Sequence, residues 1–346
     1  MTLSRYGNIR SLNTMYNTNV NELYLAFDRK EQQKVVIKAR SQNASGDRKR
    51  CEMFAREIRI AFSLDHPCIL RPIEEGEEIL LHETHPVPFI VYPFIKRGSL
   101  EAFLSDQPSW IRWPLIQVAK VILQAGSALM YMHQQRPRPI VHLDVKADNF
   151  LVQLERGSSK IDRLLLCDFG IAHSLNSQRD MAEEPRGMPT YMAPEQFNGA
   201  IMYQSDQYAL AFLAHHLLTG EYPLQPDAEW TWETLQEAHT YIKPSPPSKF
   251  RPGCFSHDID AVILKALSKD PEQRFATIWD FAYHFYYAIK EHTGDSLPEN
   301  VLKELTPVSN TIVLAKPVPL HPALASDTDS LAERYGSTPV SLSESS

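Results

Sequence analysis

The segment from His142 to Asn149 constrains this chain more than any other part of its sequence. The order of its residues is His-Leu-Asp-Val-Lys-Ala-Asp-Asn, and it lies directly between the apolar runs Ile140-Val141 and Phe150-Leu151-Val152. Polar side chains packed this densely between hydrophobic segments belong either to a solvated surface loop or to a group that carries chemistry. The residue types and their spacing decide between the two.

Three side chains of this segment are the groups that phosphoryl transfer requires. A carboxylate orients an attacking hydroxyl and accepts its proton, an amide oxygen binds Mg²⁺, and a cation lies near the γ-phosphate. Asp144, Asn149 and Lys146 supply these groups at the spacing H-x-D-x-x-x-x-N. This spacing is fairly specific, so it favours a catalytic loop over a polar surface loop.

A lysine and a glutamate further upstream fit the same chemistry. Lys38 ends the β-prone run Val35-Val36-Ile37, and Glu57 falls on a helix predicted between Arg50 and Leu64. A lysine held by a helix glutamate can direct its ammonium group at the α- and β-phosphates of a nucleotide. The alternative for this pair is an ordinary solvated ion pair.

Asp168 is the second candidate metal ligand. It follows the apolar run Leu164-Leu165-Leu166-Cys167 and precedes Phe169-Gly170, nineteen residues after Asn149. Hard oxygen ligands suit Mg²⁺, with Mn²⁺ as a possible substitute, and Mg²⁺ keeps several waters and the substrate phosphates. We therefore expect Asn149 and Asp168 to hold the metal.

Ala193-Pro194-Glu195 completes an ordered series that resembles the protein kinase superfamily over about residues 6–290. The resemblance implies that Asp206 braces the backbone of the catalytic loop and that Arg274 pairs with Glu195. It also implies a serine/threonine rather than a tyrosine kinase, because Lys146 is typical of the former. The overall pattern is similar to bacterial members.

The resemblance implies an α+β fold with two lobes. A small β-rich N-lobe with one helix would span about residues 1–92, a hinge 93–96, and a larger helical C-lobe 97–292. The remaining residues, 293–346, are rich in Pro, Ser and Thr, which predicts a mostly disordered tail with a docked segment at Thr311–Leu314.

The resemblance also implies a nucleotide pocket between the lobes that takes ATP with Mg²⁺. Tyr92 would be the gatekeeper, and the Pro93 carbonyl and the Ile95 N–H would face adenine. The residues expected to bind the nucleotide are Lys38, Val36, Leu23, Tyr92, Pro93, Ile95 and Asp168.

The nucleotide loop departs from the family pattern. Tyr16, Thr18 and Asn21 occupy the three positions where the family has glycine. Glycine there lets backbone N–H groups approach the phosphates closely at positive φ. Asparagine tolerates the left-handed region best after glycine, so we expect weaker nucleotide binding rather than none.

Leu143 replaces the arginine that, in the family, often grips a phosphorylated activation loop. Phosphorylation of Ser174, Ser177 or Thr190 would therefore lack its usual receptor.

Met188 replaces a threonine that normally bonds the catalytic aspartate and lysine. Thr190, two residues further on, is a candidate substitute for that threonine. In the adenine pocket, Val36 stands where the family prefers alanine and narrows the space above the base.

Three functions compete on this evidence. The leading one is an active ATP-dependent kinase that phosphorylates Ser/Thr hydroxyls of proteins, because Lys38, Glu57, Asp144, Lys146, Asn149 and Asp168 are all present. The alternative is a pseudokinase that acts as a nucleotide-binding or scaffolding regulator. A small-molecule phosphotransferase of related fold is the third, but it should lack Ala193-Pro194-Glu195, Asp206 and Arg274.

Composition predicts a soluble cytoplasmic protein. The net charge of −7 argues against nucleic acid or an anionic membrane as a partner. The sequence contains no run of 18–20 uninterrupted apolar residues, so we expect no transmembrane helix. The four cysteines are scattered without a C-x-x-C pair, which is typical of reduced thiols rather than of zinc or disulfides.

Overall fold

The computed structural model describes residues 5–12, 21–40, 48–78, 86–106, 113–225 and 229–307. The strands are β1 (Tyr6–Ser11), β2 (Asn21–Asp28), β3 (Gln33–Arg40), β4 (Glu74–Glu78), β5 (Val87–Pro93), β6 (Ile140–Val141), β7 (Phe150–Leu154), β8 (Ile161–Leu166), β9 (His173–Ser174), β10 (Asp180–Met181) and β11 (Ala200–Ile201). The α-helices are α1 (Arg48–Ser63), α2 (Leu100–Ser105), α3 (Leu115–His133), α4 (Tyr203–Thr219), α5 (Trp232–Tyr241), α6 (Pro247–Phe250), α7 (His257–Ala266), α8 (Ile278–Thr293) and α9 (Glu299–Leu305). The expected α+β fold with two lobes is confirmed.

The N-lobe is an antiparallel sheet in the order β1-β2-β3-β5-β4. Side chains alternate between its faces, since successive residues of a strand point to opposite sides. Tyr24, Ile37 and Val91 belong to the buried core on one face. The other face carries Val36 and Lys38, and Lys38 reaches Asp168 in the C-lobe.

Helix α1 covers the sheet as its apolar spacing predicts. Phe54, Ile58 and Ala61 recur at intervals of three and four residues and are all buried. The helix begins two residues before the predicted start and ends before His66-Pro67, where proline disfavours continuation. This packing brings Glu57 under strand β3.

The C-lobe is built around α3 and α4. Most of the residues in both helices are buried. Helix α3 is long and apolar enough to cross a membrane by length and composition, but 78% of that window is buried inside the structure. Such burial is typical of the core helix of a globular domain.

Helix α9 lies within the stretch 293–346 that was expected to be mostly disordered. It is ordered and docks on α3, where the Ser127 hydroxyl donates to the Leu305 carbonyl at 2.5 Å. Arg163 and Glu304 form an ion pair of 2.8 Å at the same contact. Residues 299–305 therefore form an ordered helix packed against the C-lobe, and Thr311–Leu314 lies outside the described residues.

Candidate active site

The catalytic loop holds the Asp144 carboxylate between two donors. Asn149 Nδ2 donates to the Asp144 carbonyl and to Asp144 Oδ2, both at 2.8 Å. Lys146 Nζ lies 2.8 Å from the same Oδ2. These contacts fix Oδ2, while Oδ1 accepts the Met188 N–H at 3.2 Å and has no side-chain donor among the described residues. The structure thus brings together the three residues that sequence spacing selected.

The backbone of this loop is braced from below by a buried aspartate. Asp206, fully buried on α4, accepts the N–H of Leu143 at 2.8 Å and the N–H of His142 at 2.9 Å. Leu143 has φ of 69°, a left-handed conformation that a bulky residue adopts only at a cost. The two charge-assisted hydrogen bonds offset that cost. The role that the resemblance implied for Asp206 agrees with this geometry.

Lys38 joins the two lobes through a pair of carboxylates. Its Nζ lies 2.5 Å from Glu57 Oε1 and 2.8 Å from Asp168 Oδ1. Burial works against the ammonium form, but the charges of Asp168 and Glu57 raise the pKa of Lys38 well above its ordinary value. The Lys38 charge lowers the pKa of Asp168 to about 2, so Asp168 is ionised at neutral pH. Lys38 and Asp168 are therefore both charged at neutral pH.

Glu57 is the most enclosed member of this group. Its side chain is 1% exposed, and Oε2 has no hydrogen-bond partner among the described residues. Burial raises the pKa of Glu57, and the Lys38 ammonium opposes that shift. An ion pair in this setting depends on both partners, because removal of either leaves a buried charge uncompensated.

The strand residues expected to contact a nucleotide lie on one face of the sheet. Leu23 pairs with Lys38 across β2 and β3, and Val36 pairs with Tyr92 across β3 and β5. Tyr92 is buried, and its hydroxyl has no hydrogen-bond partner among the described residues. Pro93 ends β5, so Pro93 and Ile95 lie where the chain passes from one lobe to the other.

Asn149 and Asp168 fit the donor set of a hard divalent cation. The Asn149 amide nitrogen is engaged by Asp144, which turns its Oδ1 away from that carboxylate. Asp168 uses Oδ1 for Lys38, and its side chain is 47% exposed. Each residue therefore has one oxygen available, as Mg²⁺ requires when its remaining ligands are phosphates and water.

The activation segment, defined here as Asp168–Glu195, is tied to the C-lobe at several points. Strand β9 pairs with β6, and β10 pairs with β11. Asp180 accepts hydrogen bonds from His173 Nε2 at 2.9 Å and from the Asn176 N–H at 3.0 Å. Ser177, one of the expected phosphorylation sites, donates to the Arg179 carbonyl and to Asp180. Carboxylate and backbone contacts thus hold this part of the segment in place.

The missing threonine at position 188 is replaced by a backbone contact. The Met188 N–H donates to Asp144 Oδ1 at 3.2 Å, and the Met188 side chain is 40% exposed. Gly187 permits this approach, since a Cβ there would meet the Leu143 carbonyl at 2.8 Å. Thr190, the expected substitute, instead uses its carbonyl to accept a hydrogen bond from His239 at 3.1 Å.

Sequence reasoning missed two buried residues that shape the site. Gln196 donates to the carbonyls of Leu143 and Arg186 at 3.2 and 3.0 Å, which ties the catalytic loop to the activation segment. His239, on α5, bonds both Thr190 and the Tyr208 hydroxyl. The partners in these contacts are far apart in the sequence, so no local pattern predicts them. The position of Gln196 directly after Glu195 was the signal that could have indicated its role.

The Glu195–Arg274 pair anchors the end of the activation segment. The Arg274 guanidinium bonds both Glu195 oxygens at 2.8 Å in a bidentate arrangement. Ser205 also donates to Glu195 at 2.8 Å. The pairing implied by the resemblance agrees with this geometry.

Of the three nucleotide-loop positions where the family has glycine, Tyr16 and Thr18 lie outside the described residues, and Asn21 is the first residue of β2.

Comparisons with known proteins agree on one family. A family model described as the protein kinase domain matches residues 18–286. The serine/threonine-protein kinase PknB of Mycobacterium leprae is 30% identical over 302 residues, which cover 86% of this chain and 44% of PknB. The kinase Pkn1 of Myxococcus xanthus is 34% identical over 214 residues, covering 60% of this chain and 29% of Pkn1.

A solved structure supports the same assignment. The crystal structure of a double mutant of the Mycobacterium tuberculosis PknI kinase domain is 26% identical and has a TM-score of 0.59. It covers 84% of this chain, which in turn covers 97% of that domain. The chain spans less than half the length of the PknB relatives that it matches.

Proposed function

Because this chain belongs to the protein kinase family, we propose that it is an active ATP-dependent serine/threonine protein kinase. One observation carries the proposal. Asp144 is held by Asn149 and Lys146, while Lys38 bridges Glu57 and Asp168 across the lobes. A chain that had lost phosphoryl transfer would have no need to keep every one of these contacts.

Asp144 is the catalytic base. Its Oδ1 receives the acceptor hydroxyl, orients it toward the γ-phosphate and accepts its proton as the bond to phosphorus forms. Lys146, beside the same carboxylate, neutralises charge that develops on the transferred group. Lys38 directs its ammonium at the α- and β-phosphates. Contacts among these side chains hold them in place, so little reorganisation is needed in the transition state.

Asn149 and Asp168 would hold Mg²⁺, or Mn²⁺ in its place. The metal would supply positive charge that neutralises the phosphates of the nucleotide. The low pKa of Asp168, about 2, keeps this ligand ionised throughout the physiological range. Leu23, Val36 and Tyr92 enclose the adenine, with Pro93 and Ile95 offering backbone groups to its edge.

The substrates are Ser/Thr hydroxyls of proteins. Lys146 supports this choice through the resemblance, and the net charge of −7 makes nucleic acid or an anionic membrane a poor partner. The same composition fits a cytoplasmic location. Domain bounds of 1–292 with a tail at 293–346 remain our prediction, with α9 as an ordered part of that tail.

A pseudokinase is the second candidate, and the nucleotide loop favours it. Tyr16, Thr18 and Asn21 supply no glycine for close backbone contact with phosphates. A regulator of this kind would bind ATP, or a partner protein, without transferring phosphate. Binding and transfer therefore have to be measured separately.

The test combines transfer with binding. Purified protein is incubated with Mg²⁺, γ-labelled ATP and a generic basic acceptor protein, beside Asp144→Asn. We expect Asp144→Asn to lose transfer by at least about 100-fold. Both proteins should keep the thermal stabilisation that Mg²⁺–ATP produces by mass action. Equal labelling by both, or none despite nucleotide binding, would overturn the proposal.

A further inference from the structure

Helix α9 is joined to the α1–β4 loop, residues 64–73, by a directional chain of hydrogen bonds. The Ser127 hydroxyl on α3 donates to the Leu305 carbonyl at 2.5 Å. Because its proton is used there, the Ser127 oxygen accepts from His66 Nε2 at 3.2 Å. His66 Nδ1 in turn accepts the Cys68 N–H at 3.1 Å. The chain therefore runs without a break from the last residue of α9 to the backbone of the loop.

The His66 ring has the single tautomer that this chain requires. Burial lowers the pKa of His66 to about 4, so the ring is neutral at neutral pH. A neutral imidazole has one N–H donor and one acceptor nitrogen. Since Nδ1 accepts from Cys68, the proton lies on Nε2 and is donated to Ser127. Each donor in the chain thus has an acceptor, as buried polar groups require.

Arg163 on β8 forms a second link between the same elements. Its Nη2 lies 2.8 Å from Glu304 Oε1 on α9, and its Nη1 donates to the Pro67 carbonyl at 3.4 Å. The side chains of the ion pair are 30% and 45% exposed, so the pair by itself stabilises the fold little. Its effect is to fix position, because one guanidinium group contacts both α9 and the α1–β4 loop.

The α1–β4 loop pairs with the strand that leads into the active site. The Leu166 N–H, at the end of β8, donates to the Cys68 carbonyl at 2.9 Å. The Leu166 carbonyl accepts the Leu70 N–H at 2.8 Å. Asp168 follows Leu166 by two residues. The loop therefore fixes the end of the strand that positions the candidate metal ligand.

The same loop supports the second carboxylate that contacts Lys38. Helix α1 ends at Ser63, directly before the loop, and carries Glu57 in its second half. Lys38 lies between Glu57 at 2.5 Å and Asp168 at 2.8 Å. Both carboxylates therefore depend on one support, and that support is held from outside the site by α9.

We propose that α9 positions Glu57 and Asp168 for binding of Mg²⁺–ATP, acting through the α1–β4 loop. Ser127, His66 and Arg163 are the positioning residues. The inference rests on the proposed function, since positioning of this kind serves a chain that binds the nucleotide for transfer. Without these contacts the loop, and with it both carboxylates, would occupy a wider range of positions.

Equilibrium binding of Mg²⁺–ATP to the full chain, measured by isothermal titration calorimetry, tests the proposal. Ser127→Ala removes the hydroxyl that joins α9 to the loop, and Arg163→Gln removes the second link. Each variant should raise Kd for Mg²⁺–ATP by about five-fold. Arg163→Lys keeps a cation for Glu304 and should recover part of that loss.

Lys303→Gln is the matched control on the same helix. Lys303 forms an ion pair of 2.7 Å with Glu299, and both side chains are exposed. This pair stays within α9 and does not reach the α1–β4 loop. Kd for Mg²⁺–ATP should therefore be the same in Lys303→Gln as in the wild type.

Amide hydrogen exchange gives a readout that depends neither on the nucleotide nor on phosphoryl transfer. Ser127→Ala and Arg163→Gln should speed exchange at the amides of Cys68, Leu70 and Leu166 by about five-fold or more. Exchange in the rest of the C-lobe core should change less. If α9 only added stability, exchange would rise throughout the C-lobe and Kd for Mg²⁺–ATP would not change.

Both readouts have to change for the proposal to stand. Unchanged Kd, unchanged exchange in the loop, or the same changes in Lys303→Gln would overturn it. A wild-type chain that binds Mg²⁺–ATP without transferring phosphate would refute the proposed kinase activity and leave this role of α9 intact. If the wild type bound no nucleotide, the exchange readout would decide alone.

Discussion

Lys38 and Glu57 show how a buried ion pair can serve chemistry at the expense of stability. Lys38→Met leaves the Glu57 carboxylate buried without its cation, so the free energy of unfolding should fall by about 3 kcal/mol. Adding Glu57→Gln removes that uncompensated charge and should restore most of the loss. Urea unfolding measures both variants.

We expect the variant that combines Lys38→Met with Glu57→Gln to regain stability without regaining phosphoryl transfer. Labelled transfer should stay reduced by at least about 100-fold, because no cation then faces the phosphates. If the double variant regained activity together with stability, Lys38 would be a structural residue only.

Some contacts in the candidate active site could be predicted from the spacing of residues in the sequence, and others could not. Lys38, Glu57, Asp144, Lys146, Asn149 and Asp168 lie in short segments whose residue types match one chemistry, and the structure brings them together. The Met188 contact was not foreseen, because a backbone N–H performs it and no side chain signals it. Gln196 and His239 act on carbonyl groups, which sequence alone cannot assign.

At the scale of elements, α4 supports the catalytic loop through one carboxylate. Asp206 accepts the N–H groups of His142 and Leu143 and also contacts His133 at 2.8 Å. Asp206→Asn turns one acceptor into a donor and should lower the unfolding free energy by about 2 kcal/mol. The turnover number should fall further than ATP affinity, since Leu143 adjoins Asp144.

Asp260→Asn is the matched control for this prediction. Asp260 accepts a backbone N–H from Ser248 at 3.0 Å and does not touch the site. It should lose stability without a selective loss of turnover. An equal loss of turnover in both variants would contradict the bracing role of Asp206.

Helix α5 holds the Thr190 end of the activation segment through His239. Burial lowers the pKa of His239 to about 3, so the ring is neutral. Nδ1 accepts from the Tyr208 hydroxyl at 3.0 Å, which leaves Nε2–H to donate to the Thr190 carbonyl at 3.1 Å. His239→Phe keeps a ring of similar shape but leaves the Tyr208 hydroxyl and the Thr190 carbonyl without this hydrogen-bond partner.

We expect His239→Phe to raise KM for the acceptor protein several-fold and to lower the unfolding free energy by about 2 kcal/mol. KM for ATP should change little, because His239 contacts the acceptor side only. His239→Gln retains a donor and an acceptor, so it should recover part of both losses. Parallel changes in the two KM values would count against this role.

The boundaries of α1 could be predicted from its apolar periodicity and from the proline that follows it. The packing of α9 against α3 could not be predicted. Helix α1 begins within two residues of its predicted start because its apolar stripe is regular. Helix α9 was assigned to a disordered tail, since seven residues in a Pro/Ser/Thr-rich region carry little local signal. Its order comes from tertiary contacts with α3, which no local pattern records.

For the whole molecule, buried neutral histidines predict loss of stability in mild acid. Burial lowers the pKa of His66 to about 4 and that of His239 to about 3. Their unfolded forms take up protons below about pH 6.5, so stability should fall as pH drops from 6.5 toward 4. At pH 5 each contributes a loss of about 2 kcal/mol.

Urea unfolding at pH 7 and pH 5 measures this loss. His239→Gln should reduce the difference between the two pH values, while His257→Gln, an exposed histidine, should leave it unchanged. Asp168 does not contribute to the difference in stability between pH 7 and pH 5. Its pKa of about 2 in the folded protein makes stability depend on pH only below the ordinary carboxyl range. A pH dependence unaltered in His239→Gln would exclude the histidine explanation.

The central claim for the whole molecule is that an intact phosphoryl-transfer centre acts on Ser/Thr hydroxyls despite a nucleotide loop without glycine. Phosphoamino-acid analysis of an acceptor protein labelled from γ-labelled ATP tests it most directly. The account predicts phosphoserine or phosphothreonine with wild type and neither with Asp168→Asn. Label confined to phosphotyrosine, undiminished label with Asp168→Asn, or no label while Mg²⁺–ATP is bound would contradict it.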